Sequence, residues 1–328
     1  MHVLITGAAG MLGRKLTDSL VKTGELGGRE IEALTLIDVV APEAPAGFPG
    51  KVSARGVDIS AVGAGDAMIA GRPDLIFHLA AIVSGEAETE FDKGYRINLD
   101  ATRQLFDAVR SANARDGYKP RLVFSSSIAV FGAPFPAKIG DEFFSTPLTS
   151  YGTQKAIGEL LLADYSRKGF FDGIGIRLPT VCIRPGKPNK AASGFFSNIL
   201  REPLAGQEAV LPVSEDVRHW HASPRAAVGF LHRAATMDLS ALGWRRSITM
   251  PGLSATVAEQ IAALTRVAGA KAAALIRRER DPQIESIVAG WPRDFDARRA
   301  VSLGFRAESS FDEIIRAHVE HELGGRIA

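Results

Sequence analysis

The chain has 328 residues, 46% apolar and 23% charged, which is the composition of a soluble globular protein with two lobes or one large capped α/β domain. Its formal charge of +2 is too near balance to suggest a nucleic-acid or anionic-membrane partner. The single cysteine, Cys182, excludes a disulfide within the chain and reads as a buried, inert thiol in the apolar run 174–183.

The run 2–6, His-Val-Leu-Ile-Thr, reads as a strand. It starts too early to leave room for a leader, and no apolar run is long enough to span a bilayer, so a reducing, cytoplasmic setting is expected. Gly7, Gly10 and Gly13 follow at once and lead into a helix, the order a dinucleotide site requires. One glycine permits the tight turn, one lets the backbone approach a pyrophosphate, and Gly13 lets the helix pack closely on the sheet. The next strand, 33–38, ends in Asp38, 25 residues after Gly13. An aspartate there accepts hydrogen bonds from the adenosine ribose hydroxyls and repels a 2′-phosphate, and no arginine follows closely; the cofactor reads as NAD.

A strand near 52–56 precedes Asp58, which suits either the adenine edge or a helix N-cap. After a helix near 61–70, the run 74–81 has the continuous apolar character of a strand buried on both faces, with His78 satisfied inside the sheet. A helix is expected from about 88 to 112, carrying Asn98, and then the strand 121–127 ends in Ser125-Ser126-Ser127. Ligands bind at that end of a parallel sheet, and alternation points Ser125 and Ser127 one way and Ser126 the other.

The run 150–167 reads as a helix with Tyr151 and Lys155 four residues apart on one face. Lowering a phenol of pKa about 10 by about three units takes about 4 kcal/mol, which a nearby ammonium and a positively charged cofactor supply together. Taken alone, a half-buried tyrosine beside a solvated lysine is the commoner arrangement; the strand, glycine turn and helix at the start of the chain overturn it. A strand from 177 to 183, a short strand and turn at 211–218, helices at 224–237 and 255–268 and a strand at 246–250 complete the pattern. The expected architecture is α/β, a Rossmann-type doubly wound parallel sheet with a smaller, sequence-interleaved α/β substrate lobe. The first comprises 1–183, with 223–251 returning to it, and the second comprises 184–222 and 252–328.

Taken together, the glycine pattern with Asp38, HLAA at 78–81, Asn98, the serine run ending five places before Gly132, and Tyr151 with Lys155 resemble an extended short-chain dehydrogenase/reductase. The resemblance implies a Rossmann core, NAD and a homodimer, with Ser127, Tyr151 and Lys155 catalytic and Asn98 joining through a water. The expected cofactor side comprises Gly7, Gly10, Met11, Leu12, Gly13, Asp38, Asp58, Ile59, Leu79, Ala80, Ala81, Asn98, Ser125, Tyr151, Lys155, Leu178, Pro179 and Val181.

Most extended members act on nucleotide-activated sugars and carry a glycine-aspartate-glycine turn and an arginine-aspartate-aromatic motif. Here Val213 to Pro224 matches only at Arg218, so a smaller substrate is expected. The stretches 79–88, 150–173 and 177–206 resemble, within that family, a branch that oxidises a four-carbon sugar acid at C2 to the 2-oxo acid. Such a substrate needs a cation for its carboxylate and polar groups for its hydroxyls, which Ser84, Ser126, Ser127, Tyr151, Arg184, Asn189, Lys190, Ser193 and Arg218 offer. The alternatives are a nucleotide-sugar 4-epimerase or dehydratase with recycled NAD, and an NAD-binding sensor without catalysis. No metal is expected, because His219 and His221 lack neighbouring carboxylates or thiolates.

Overall fold

The computed structural model describes residues 1–186 and 193–328. The chain forms two compact units, 1–130 with 149–177 and 228–248, and 131–148 with 178–227 and 249–328.

The first unit is built on a seven-stranded sheet in the order Ser247–Thr249, Asp172–Leu178, Arg121–Ser127, Leu75–His78, His2–Thr6, Ala33–Asp38, Lys51–Gly56. The central strands pair in parallel, with Thr6 opposite Ile37 on one side and His78 on the other. Val3, Leu4, Ile5, Ile76 and Phe77 are wholly buried, as strands covered on both faces require. Chain order reverses where His2–Thr6 lies between Leu75–His78 and Ala33–Asp38, so successive connections leave in opposite directions and open a crevice at the strands' C-terminal ends. Leu4, Ile76, Phe106, Leu122, Phe124 and Phe171 belong to the core beneath.

The helix Ser150–Arg167 starts where the sequence places it, because Thr149 is extended and its hydroxyl accepts from the Gly152 N–H at 3.1 Å. Gly158 brings this helix close to the sheet; a Cβ there would lie 2.8 Å from the Phe124 ring.

Some expectations are corrected. The single helix from 88 to 112 is instead Ser84–Thr89, Phe91–Gly94, a π-helical turn Tyr95–Asp100 and Ala101–Asp116. Glu90, with φ −115° and ψ 68°, interrupts it, and the wide turn carries the buried Asn98. The strand expected at 177–183 begins at Asp172, while Thr180–Val181 pairs with His221–Ala222. The loop 131–148, expected with the Rossmann lobe, clusters with the second unit. There the Phe131 ring meets Phe143 and Phe295, and Ile139 bridges to Phe295.

In the second unit, Arg218–Ala222 lies between Leu253–Thr256 and Thr180–Val181, and Ala209–Leu211 pairs in parallel with Ile276–Arg278. The helices Gly194–Leu204, Val257–Ala268 and Phe311–Glu322 close over a core containing Phe196, Leu200, Leu264, Ile276 and Ile315. Among the described residues no helix is long and apolar enough to cross a membrane.

Candidate active site

The glycine turn fits a dinucleotide phosphate on steric grounds. Gly7 has φ +75°, and a Cβ on it would lie 2.7 Å from the Ala80 nitrogen, so only glycine lets the first strand's turn pass beneath the end of the fourth strand. Gly13 does a different job from the one expected. Its missing Cβ would lie 2.2 Å from the Gly7 carbonyl oxygen, so it packs the helix on the turn itself rather than on the sheet. No side chain caps the start of the helix Met11–Thr23 and no acid sits in its first turn, which suits its N–H groups to an anion.

Asp38 braces this turn. One carboxylate oxygen accepts from the Ala9 N–H at 3.0 Å and the other from the Val39 N–H at 2.7 Å, and each oxygen keeps acceptor capacity for a hydroxyl. Asp58 is not a helix N-cap, since Gly63 precedes the helix Ala64–Ile69. The Ser60 N–H and hydroxyl, reinforced by Arg96, hold its carboxyl below the usual range in a turn ahead of the helix Ala64–Ile69. Ile59 is buried in the core. Leu79, Ala80 and Ala81 are half-buried beside Gly7 at the crevice.

His78 is a structural residue, as the sequence suggests. Its ring nitrogens meet the Thr6 and Thr102 hydroxyls at 2.8 and 2.9 Å, and burial pushes its pKa down to about 3, so the ring is neutral.

The serine strand and the Tyr151 helix meet next to this crevice. Lys155, 2% exposed, donates to the Ser125 carbonyl at 2.8 Å. Its ammonium lies 4.9 Å from the Phe124 ring centre and 5.7 Å from that of Tyr151. Burial pushes its pKa down to about 8, partly opposed by Glu159. Half-buried Ser127 accepts from the Ala129 N–H at 3.1 Å, an arrangement that leaves its own O–H to donate. Ser125 donates to the His78 carbonyl.

Ser126, expected on the substrate side, is corrected: its hydroxyl donates to Glu159 at 2.5 Å, behind the strand. Asn98 is tied directly on three sides. Its carbonyl oxygen accepts from the Ile82 N–H at 2.9 Å, and its amide donates to the Ile82 carbonyl and to Gln154. Gln154 and Glu159 were missed in the sequence. Their signal was their place, one on either side of Lys155 on the Tyr151 helix; Arg177, Glu159's partner, was a lone charge in the apolar run 174–183. Ser84 opens the short helix Ser84–Thr89 and is half-buried.

Leu178, Pro179, Val181, Arg184, Ser193 and Arg218 belong to the second unit. Three of them meet, because Arg184 donates to the Ser193 hydroxyl at 2.9 Å and to the Val181 carbonyl at 3.0 Å. Arg218 donates to the Ser254 carbonyl and pairs with Glu259 at 3.3 Å on the surface. Asn189 and Lys190 lie outside the described residues. His219 bonds Thr180 and the Pro292 carbonyl through its two nitrogens, and burial takes its pKa down to about 4.

Known proteins match this arrangement over nearly its whole length. D-erythronate dehydrogenase of Cupriavidus necator is 47% identical over 324 residues, covering 98% of each chain. The D-erythronate dehydrogenase of Haemophilus influenzae is 45% identical over 98% of this chain and 100% of its own. The crystal structure of a nucleoside-diphosphate-sugar epimerase from Agrobacterium tumefaciens superposes with a TM-score of 0.98 at 69% identity, over 100% of this chain and 96% of that one. A model of one family also matches residues 3–231, the span that carries the glycine turn, the serine strand and the Tyr151 helix. With that match and two relatives above 40% identity, the chain belongs to the NAD dependent epimerase/dehydratase family.

Proposed function

We propose that the protein oxidises D-erythronate, or a four-carbon sugar acid closely like it, at the C2 hydroxyl to the 2-oxo acid, with NAD as acceptor. The observation that carries this reading is Lys155, buried and anchored on the Ser125 carbonyl, with its charge beside the Tyr151 ring. The two D-erythronate dehydrogenases similar along nearly the whole chain supply the substrate.

When bound, NAD supplies the nicotinamide carbon that accepts the C2 hydride. Gly7, Gly10, Met11, Leu12 and Gly13 would hold its phosphates, Asp38 its adenosine ribose, and Leu79 to Ala81 the wall of the crevice. Tyr151, as phenolate, takes the proton of the C2 hydroxyl. Ser127 donates to the reacting oxygen and steadies the charge that develops there. Lys155 favours the phenolate and cannot swing away, because its ammonium is held by a main-chain carbonyl. Asn98 fixes the Ile82 loop against Gln154 on the Tyr151 helix, so its part is to hold the crevice in shape. Arg184 with Ser193, and Asn189 with Lys190, are the groups we assign to the substrate carboxylate and hydroxyls. The reading includes a cytoplasmic homodimer.

A nucleotide-sugar epimerase that recycles its NAD is the second reading, favoured by the description of the Agrobacterium structure. Against it stand the missing glycine-aspartate-glycine turn and the engagement of Arg218, the one residue matching the nucleotide-binding motif, with Glu259. Net NADH formation separates the two. Tyr151→Phe abolishes it while leaving NAD binding largely intact; retained turnover in that variant contradicts the mechanism.

A further inference from the structure

Behind the serine strand lies a buried polar cluster that the mechanism above does not use. Glu159 stands one turn beyond Lys155 on the same helix and is 6% exposed. Arg177, on the neighbouring strand Asp172–Leu178, grips it with both arms of its guanidinium, Nε at 2.9 Å from one carboxylate oxygen and a terminal nitrogen at 2.7 Å from the other. The Ser126 hydroxyl donates to the same carboxylate at 2.5 Å. Ser126 sits between two residues of the site, Ser125, whose carbonyl holds Lys155, and Ser127. The carboxylate is therefore connected to the site by two routes, through the helix to Lys155 and through the strand to both serines.

We propose that Glu159, clamped by Arg177 and Ser126, is a positioning residue that keeps Lys155 protonated and holds the strand end so that the Ser125 carbonyl anchors Lys155 and Ser127 faces the reacting oxygen. The inference rests on the hydride-transfer reading above. The burial that pushes the Lys155 pKa down to about 8 is opposed by the negative charge of Glu159, so the lysine stays charged at neutral pH by a narrow margin. Other titratable groups around the pair do not take over this task. His78 faces Lys155 but is neutral, and Arg177 has the wrong sign. Glu88 accepts from the Ser150 N–H at the exposed start of the helix, and Asp107 is bonded to Tyr165 towards its far end. A purely structural ion pair would not need the serine between Ser125 and Ser127 as its third member.

Three variants test this in the cofactor-free and the complete enzyme. Glu159→Gln removes the charge, Glu159→Gln with Arg177→Met removes both members of the ion pair and leaves no unpaired guanidinium, and Ser126→Ala removes only the link to the strand. Titration of the Lys155 ε-carbon by NMR in the cofactor-free protein should show its pKa fall by about one unit in Glu159→Gln, with less of a fall in the double variant. The alkaline limb of the kcat profile should move down by the same amount. Ser126→Ala should lower kcat about tenfold at every pH without moving that limb, as loss of alignment alone does. An unchanged Lys155 pKa in both charge variants, or wild-type kcat in Ser126→Ala, overturns the proposal. If Tyr151→Phe were also to retain turnover, the hydride-transfer reading would fail, and the NMR titration would still report on Glu159.

Discussion

Replacing Lys155 with methionine separates what this side chain does for the reaction from what it does to the fold. The ammonium lies 5.7 Å from the Tyr151 ring centre. At about 6 Å and an effective dielectric constant of about 20, a unit charge favours the phenolate by about 3 kcal/mol, or about two pKa units. Lys155→Met should therefore cut the phenolate fraction, and with it kcat, about a hundredfold at neutral pH. Stability moves the other way with pH. The lysine titrates at about 8 in the fold and 10.5 in the unfolded chain, so between those values the unfolded state binds more protons and the wild type gains stability as pH rises. The gain amounts to about 3 kcal/mol across that window, and methionine, which does not titrate, lacks it. Contact terms such as the lost bond to Ser125 are the same at every pH and cancel from the comparison. Urea unfolding of both proteins at pH 7 and pH 10.5 reads the stability term, and NADH appearance reads kcat. A variant with kcat within a few-fold of wild type, or a stability difference that stays flat across the window, refutes the reasoning.

Two further outcomes follow from the same geometry. His78 is neutral in the fold with a pKa near 3 against 6.5 unfolded, so below pH 6.5 the unfolded chain binds the extra proton and stability falls. Between pH 6.5 and 4.5 the wild type should lose about 2 kcal/mol more than His78→Gln, read by denaturant unfolding at the two pH values; equal losses would show that His78 does not govern acid sensitivity. Asp38→Asn loses the charge that repels a 2′-phosphate and sets an amide against the Ala9 or Val39 N–H. It should raise the KM for NAD about tenfold or more and narrow the preference over NADP, measured by steady-state kinetics with each cofactor.

What the sequence disclosed follows the range of the forces involved. The first strand, the glycine turn, Asp38 and the Tyr151 helix are set by local signals: apolar runs, a residue that must have positive φ, and a threonine cap. Each lies where those signals put it. The π turn at Asn98 was not legible, because it is held by bonds to Ile82 and Gln154, 16 and 56 residues away. Alternation along the strand showed that Ser126 points away from its neighbours, but not that the Glu159–Arg177 pair meets it there. The second unit's strands are two to five residues long and take their order from pairing across tens of residues, such as His219 with Ala255. A window of sequence carries no such information, and the loop 131–148 was assigned to the wrong unit for the same reason: Phe131 meets Phe295 far along the chain.

The most direct test of the account is to mix the purified protein with NAD and D-erythronate and follow NADH absorbance, with UDP-hexoses and other C4 to C6 aldonates in parallel. Steady NADH formation with D-erythronate or another four-carbon aldonate, and none with UDP-hexoses, is the predicted result. No NADH from any aldonate, together with interconversion of UDP-hexoses, would contradict it and establish the epimerase reading instead.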